Sequence, residues 1–135
     1  MEDCIVRMEN IVKSFGNVRA NCGVNLEVRP GEIHCLLGEN GAGKTVLMSV
    51  LYGLYKPDSG TIYYKNNKVE FHNPKDAINQ RIGMVHQHFM LVPTLTVAEN
   101  IVLGQYPSWK VLNDMPAVYE KINKLSNDFD LDVDP

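Results

Sequence analysis

Gly38-Glu39-Asn40-Gly41-Ala42-Gly43-Lys44-Thr45 matches the pattern G-x-x-x-x-G-K-[S/T] at every fixed position. Glycines at these points let successive backbone N–H groups turn inward around the α- and β-phosphates of a nucleotide, where a β-carbon would obstruct the turn. Lys44 is placed to set its ammonium on the β- and γ-phosphates, a catalytic as well as a binding role. The Thr45 hydroxyl is the expected Mg²⁺ ligand. Glu39, Asn40 and Ala42 contribute through their backbone as part of the same cradle. The bland alternative is a glycine-rich turn.

The flanking residues favour the cradle. Glu32-Ile33-His34-Cys35-Leu36-Leu37 is a short apolar run bounded by Pro30-Gly31 and Gly38, which predicts a buried strand. Lys44 to Tyr52 carries Val46, Leu47, Val50 and Leu51 at helical spacing, and Gly53 is placed to stop that helix. A strand, a loop and a helix N-terminus in this order make an anion site, because unpaired N–H groups and the helix dipole meet there.

Bulk properties exclude several classes. The 135 residues suffice for one domain with a core, and 44% apolar with 21% charged residues is an ordinary globular composition. A net charge of −3 supplies no field for a polyanion, so nucleic acid is not an expected partner. No apolar run approaches the roughly 20 residues that cross a bilayer, and Met1-Glu2-Asp3 lacks the basic-then-apolar order of a signal peptide. Any membrane association is therefore expected through protein partners. Cys4, Cys22 and Cys35 show neither a disulfide framework nor zinc spacing, which suits a reducing cytosol.

Residues 4–12 predict a strand, Lys13 to Asn17 a turn, and Asn21 to Val28 a second strand with Val24, Leu26 and Val28 on one face. Lys56-Pro57-Asp58-Ser59-Gly60 is a dense turn signal. Thr61–Lys65 and Lys68–Phe71 predict a hairpin around Asn66-Asn67. Asn73-Pro74 opens a short helix through Gln80, and Ile82 to His86 reads as another strand. Thr96-Val97-Ala98-Glu99 is a capping box for a helix toward Leu103, ended by Gly104. Pro116 is expected to begin a last helix with Val118, Ile122, Leu125 and Phe129 on one stripe. The aspartates at 128, 130, 132 and 134 read as a solvated acidic end, since the glycine and distal glutamate of an EF-hand are absent. The expected class is α/β, a strand–loop–helix core with a flanking run of antiparallel β structure.

Several longer segments resemble the ATP-binding subunit of ABC transporters, most closely the importers of simple sugars and nucleosides. They are Gly31–Gly38 running into the phosphate loop, Leu51-Tyr52-Gly53-Leu54-Tyr55-Lys56-Pro57-Asp58-Ser59-Gly60, Ile82-Gly83-Met84-Val85-His86-Gln87-His88-Phe89-Met90-Leu91, and Leu95-Thr96-Val97-Ala98-Glu99-Asn100-Ile101. The resemblance covers essentially the whole chain. It implies ATP and Mg²⁺ as cofactors, transmembrane permease subunits as partners, and a peripheral place on the cytoplasmic face of the membrane. A second cassette, in the same polypeptide or in a homodimer, is implied as well. It divides the chain into a flanking antiparallel β subdomain and P-loop NTPase core at about 1–92 and the start of a helical subdomain at about 93–135.

The resemblance also implies residue roles. Phe15 falls where the family carries an aromatic residue that stacks on adenine; the competing reading is an ordinary core or loop aromatic. Gln87 falls at the glutamine of the Q-loop, a catalytic and Mg²⁺-reaching position, against a solvated loop residue. An amide suits the task because it accepts from water and donates to phosphate without adding charge. His86 and His88 flank it at a spacing that allows one strand face, with no third metal ligand nearby in sequence. Leu91 to Glu99, with Phe89 and Met90 before it, corresponds to the surface that packs on the transmembrane partner, with buried core as the alternative. One departure stands out. Val46 follows Thr45 where the family places a second hydroxyl residue, so Val46 keeps its backbone N–H for the α-phosphate and lacks the side-chain bond.

Nothing in the chain matches the Leu-Ser-Gly-Gly-Gln signature, no apolar strand ends in an Asp-Glu pair, and no histidine lies beyond position 88. The expectation is therefore a truncated cassette, the N-terminal part of a longer subunit whose intact form is an ATPase driving solute uptake. By itself the chain is expected to bind ATP without hydrolysing it. Two rivals remain. Another P-loop enzyme would need an Asn-Lys-x-Asp guanine reader or an arginine-rich lid, whereas Arg7, Arg19, Arg29 and Arg81 are scattered. A non-catalytic nucleotide-binding or interaction module is the second.

Overall fold

The computed structural model describes residues 4–87, 91–103 and 108–135, so His88, Phe89, Met90 and Gly104 lie outside the described residues. The chain divides into two compact units, Met1–Val85 and His86–Pro135.

The first unit is built on a four-stranded antiparallel sheet in the order β2-β1-β3-β4. Strand β1 runs Val6–Phe15 and β2 Val18–Val28, joined by a two-residue turn at Gly16-Asn17. The strand therefore continues through Lys13, Ser14 and Phe15, which the sequence assigned to the turn. Pairing explains the extension, because Lys13, Ser14 and Phe15 lie opposite Asn21, Arg19 and Val18. Strand β3 is Ser59–Tyr64 and β4 Asn67–Val69. Their turn falls on Lys65-Asn66, one residue earlier than expected, with φ of 49° and 64° as a type I′ hairpin demands.

Helix α1, Lys44–Leu51, covers one face of this sheet. Leu47 and Val50 are buried against Met8, Ile11, Leu26 and Ile62. Each such side chain contributes roughly 1.5–3 kcal/mol by leaving water. Gly53 ends the helix with φ 79°, and a β-carbon there would lie 2.8 Å from the Asn73 carbonyl oxygen. Asn73 then caps α2, Pro74–Asn79, accepting from the Lys75 N–H at 2.9 Å.

The runs 32–37 and 82–86 form no strand, contrary to expectation. A parallel strand exists only through ladder bonds to neighbours, and neither run joins the sheet formed by the described residues. Ile33 stands 94% exposed and Leu37 89%, while Leu36 and Ile82 still pack partly on the core.

In the second unit α3, Val97–Val102, opens with the expected capping box, Thr96 Oγ1 accepting from the Glu99 N–H and a Glu99 carboxylate oxygen accepting from the Thr96 N–H. Helix α4 spans Ser108–Phe129 with Pro116 inside it, so the proline does not begin the helix. Val118 and Ile122 pack with Ala98 and Val102 as the expected stripe requires. Leu125 and Phe129 are exposed instead, because the buried face of α4 runs through Val118, Ile122 and Ser126 at four-residue spacing, with Ser126 Oγ accepting from the Val133 N–H at 2.9 Å and Val133 packing on the same cluster. Asn100 ties the preceding loop together, donating to the Val92, Leu95 and Thr96 carbonyls and accepting from the Val92 N–H.

Candidate functional site

The glycine-rich loop 38–43 leads directly into α1. Gly43 is the N-cap residue of that helix and brings no side chain to bond the first-turn amides, nor is there an acidic residue in the first turn. The N–H groups of Lys44, Thr45 and Val46 lie in that turn, where an α-helix has no intrahelical acceptor for them. This is a positive helix end open to an anion. The loop closes on itself through Ala42 N–H donating to the Glu39 carbonyl at 3.2 Å. Lys44 Nζ donates back to the Gly38 and Glu39 carbonyls at 2.8 and 2.7 Å, which folds the ammonium over the loop.

Gly43 shows why glycine is required. Its φ is 85°, and a β-carbon would lie 2.1 Å from the Ala20 carbonyl oxygen of β2. Its own carbonyl accepts from the Leu47 N–H at 2.9 Å and from Asn21 Nδ2 at 3.2 Å. Asn21 was not singled out by the sequence. It is 3% exposed, and its Oδ1 is a buried oxygen with no partner. The reason it was missed is a β-bulge. Register slips at Gly23, φ 77°, so the inward side changes from Val24 and Leu26 to Asn21, leaving Cys22 exposed.

Phe15 is held at the same end of the sheet. It pairs with Val18, two residues (about 7 Å of strand) from Ala20, whose carbonyl touches Gly43. The ring remains 42% exposed and meets the Tyr55 ring edge-to-face at 5.1 Å and 76°. Lys13 Nζ lies 5.3 Å from the Phe15 centroid and 3.1 Å from Asp58 Oδ1. Asp58 Oδ2 also accepts from the Ser14 N–H at 2.7 Å. The bonds from Lys13 and Ser14 hold the Asp58 carboxyl below its ordinary value. Upstream, the His34 ring bonded to Glu32 at 2.6 Å lowers the Glu32 carboxyl in the same direction.

The residues present suit a nucleotide with its metal. The cradle at Gly43 excludes a β-carbon, and Thr45 is exposed at the helix start with its hydroxyl available to a cation. Gln87 is exposed and belongs to the second unit, as do Leu91, Val92 and Pro93, which are exposed too. Among the described residues no three His, Cys, Asp or Glu gather around a possible metal position.

The ABC transporter family model matches residues 22–133. The chain belongs to the ABC transporter family. It is 47% identical over 131 residues to the guanosine import ATP-binding protein NupO of Bacillus subtilis strain 168, covering 97% of this chain and 26% of that one. It is 60% identical over 100 residues to the glucose import ATP-binding protein TsgD13 of Haloferax volcanii, covering 74% and 18%. Among solved structures it is similar to the dimeric post-hydrolysis ATP-binding cassette MJ0796 bound to ADP and Pi, at TM-score 0.59 and 29% identity, over 76% of this chain and 49% of that one. The chain thus spans about a quarter or less of the curated ABC relatives named here. No helix among the described residues is long and apolar enough to cross a membrane.

Proposed function

We propose that residues 38–46 bind the phosphates of ATP and that the intact ABC subunit uses this site to drive import of a simple sugar or a nucleoside. The observation that carries the reading is the open N-terminus of α1 following a loop whose Gly43 tolerates no side chain. Relatives named for guanosine and glucose import support the solute class.

In this reading the amides of Lys44, Thr45 and Val46 and the turned loop receive the phosphate oxygens. Lys44 leaves its two carbonyl partners for the β- and γ-phosphates, exchanging neutral acceptors for charged ones. The Thr45 hydroxyl would hold Mg²⁺, which would supply charge neutralisation at the terminal phosphates, and Gln87 keeps the catalytic role that the family resemblance implies for it. Phe15 stacks on adenine. The intact protein pairs with a second cassette and docks on permease subunits at the cytoplasmic face, through the exposed stretch that includes Leu91, Val92 and Pro93. The dimeric state of the cassette bound to ADP and Pi supports the pairing.

Competition tests the phosphate grip. Inorganic tripolyphosphate should displace MgATP from the chain, and adenosine should do so far less well. Displacement by adenosine with none by tripolyphosphate would place the nucleotide on a different surface and end this reading.

A further inference from the structure

We propose that Tyr55 is a positioning residue for the base: its ring holds Phe15 in the orientation that receives adenine. The inference rests on the reading of Phe15 as the adenine platform.

The geometry is specific. The two rings meet edge-to-face at 5.1 Å and 76°, the arrangement in which the positive edge of one ring faces the negative face of the other. Both rings are 42% exposed, so the contact is a surface pair rather than core filling. Tyr55 is fixed from its own side by the end of α1. Its N–H and that of Leu54 both donate to the Ser49 carbonyl, at 3.3 and 2.9 Å. Three residues on, the Asp58 N–H donates to the Val12 carbonyl at 2.8 Å, and its carboxylate binds Lys13 and Ser14. The segment after α1 is thereby fastened along the end of β1 that carries Phe15.

One consequence is mechanical. Helix α1 begins at Lys44, under the phosphate loop, and the segment leaving its other end steadies the aromatic ring at 15. A ring free to rotate would lose rotamer entropy on stacking, whereas a braced ring has already lost it. Tyr55 therefore acts on base affinity and not on phosphate affinity. The ring and not the hydroxyl supplies the contact, so phenylalanine at 55 should serve equally.

The test measures dissociation constants of MgATP and of inorganic tripolyphosphate for the whole chain and its Tyr55→Leu, Tyr55→Phe and Phe15→Ala variants. The expected result is MgATP binding weakened about threefold to tenfold in Tyr55→Leu, with tripolyphosphate unchanged and Tyr55→Phe like the parent. Phe15→Ala should weaken MgATP at least as much. If Phe15→Ala weakens MgATP and Tyr55→Leu does not, the brace is wrong and the platform stands. If Phe15→Ala has no effect, the platform itself falls and the brace with it. Equal loss of both ligands in Tyr55→Leu would show a general structural defect and overturn the proposal.

Discussion

Asn21 Nδ2 donates to the Gly43 carbonyl at 3.2 Å, fastening strand β2 to the residue that precedes Lys44. The antiparallel sheet and the phosphate loop are thus one mechanical piece at this point. The same asparagine leaves its Oδ1 buried without a donor, a cost retained at a position where the polar side chain reaches the loop. Replacing Asn21 with alanine removes the bond and leaves a small void, and should lower unfolding free energy by about 1–2 kcal/mol in urea titrations. Asn21→Leu fills the space and removes the orphaned oxygen, so it should cost less than the alanine variant. Equal stability of parent and Asn21→Ala would mean the bond contributes nothing.

Gly43→Ala and Gly41→Ala separate two kinds of glycine. Both positions have φ 85°, but a β-carbon at Gly43 would lie 2.1 Å from backbone, whereas at Gly41 it meets nothing within 4 Å. Gly41→Ala should carry only the left-handed backbone penalty of about 1–2 kcal/mol. Gly43→Ala must displace the loop from β2 and should reduce MgATP affinity by more than about tenfold. Calorimetric titration of both variants checks the order, and a reversed order would contradict the packing account.

At residue 46 the structure leaves room for improvement. Val46 is half-buried in the first turn of α1 with no hydroxyl to offer. Val46→Thr should tighten MgATP by on the order of 1 kcal/mol, one hydrogen bond. No gain in affinity would show that the α-phosphate is already satisfied by backbone.

Legibility differed from element to element for physical reasons. The loop-to-helix step at 38–45, the Thr96–Glu99 capping box and the Asn73-Pro74 helix start are local structure, each set by residues within one short stretch of chain, and each was readable. The stretches 32–37 and 82–86 have strand composition, yet strand formation depends on partners that composition does not supply. Lys13 to Phe15 look like turn residues, but pairing with Asn21, Arg19 and Val18 holds them in β1. Asn21 was invisible because the bulge at Gly23 inverts the alternation that names inward positions. Leu125 and Phe129 were assigned to the stripe of Val118 for their apolar side chains, but the buried face steps from Val118 through Ile122 to the polar Ser126. Tyr55 carried no motif; only the folded path of the chain after α1 brings it to Phe15.

Acid should loosen the fastening of β1. The Asp58 carboxyl titrates below its ordinary value in the folded state, so its stabilising share is complete above that ordinary value. That share fades as pH falls through the ordinary value towards the lowered native one. Asp58→Asn should therefore flatten the acid limb of the stability profile in this window while leaving the profile near neutrality parallel to the parent. Thermal melts across the acid range read this directly, and an unchanged acid limb would remove Asp58 from the account.

Isothermal titration of MgATP into the chain and its Lys44→Ala variant shows whether Lys44 and the loop before α1 grip the phosphates. Saturable binding in the parent, weakened at least about tenfold by Lys44→Ala, is the predicted result. The same faint signal from both proteins, or none from the parent, would contradict it.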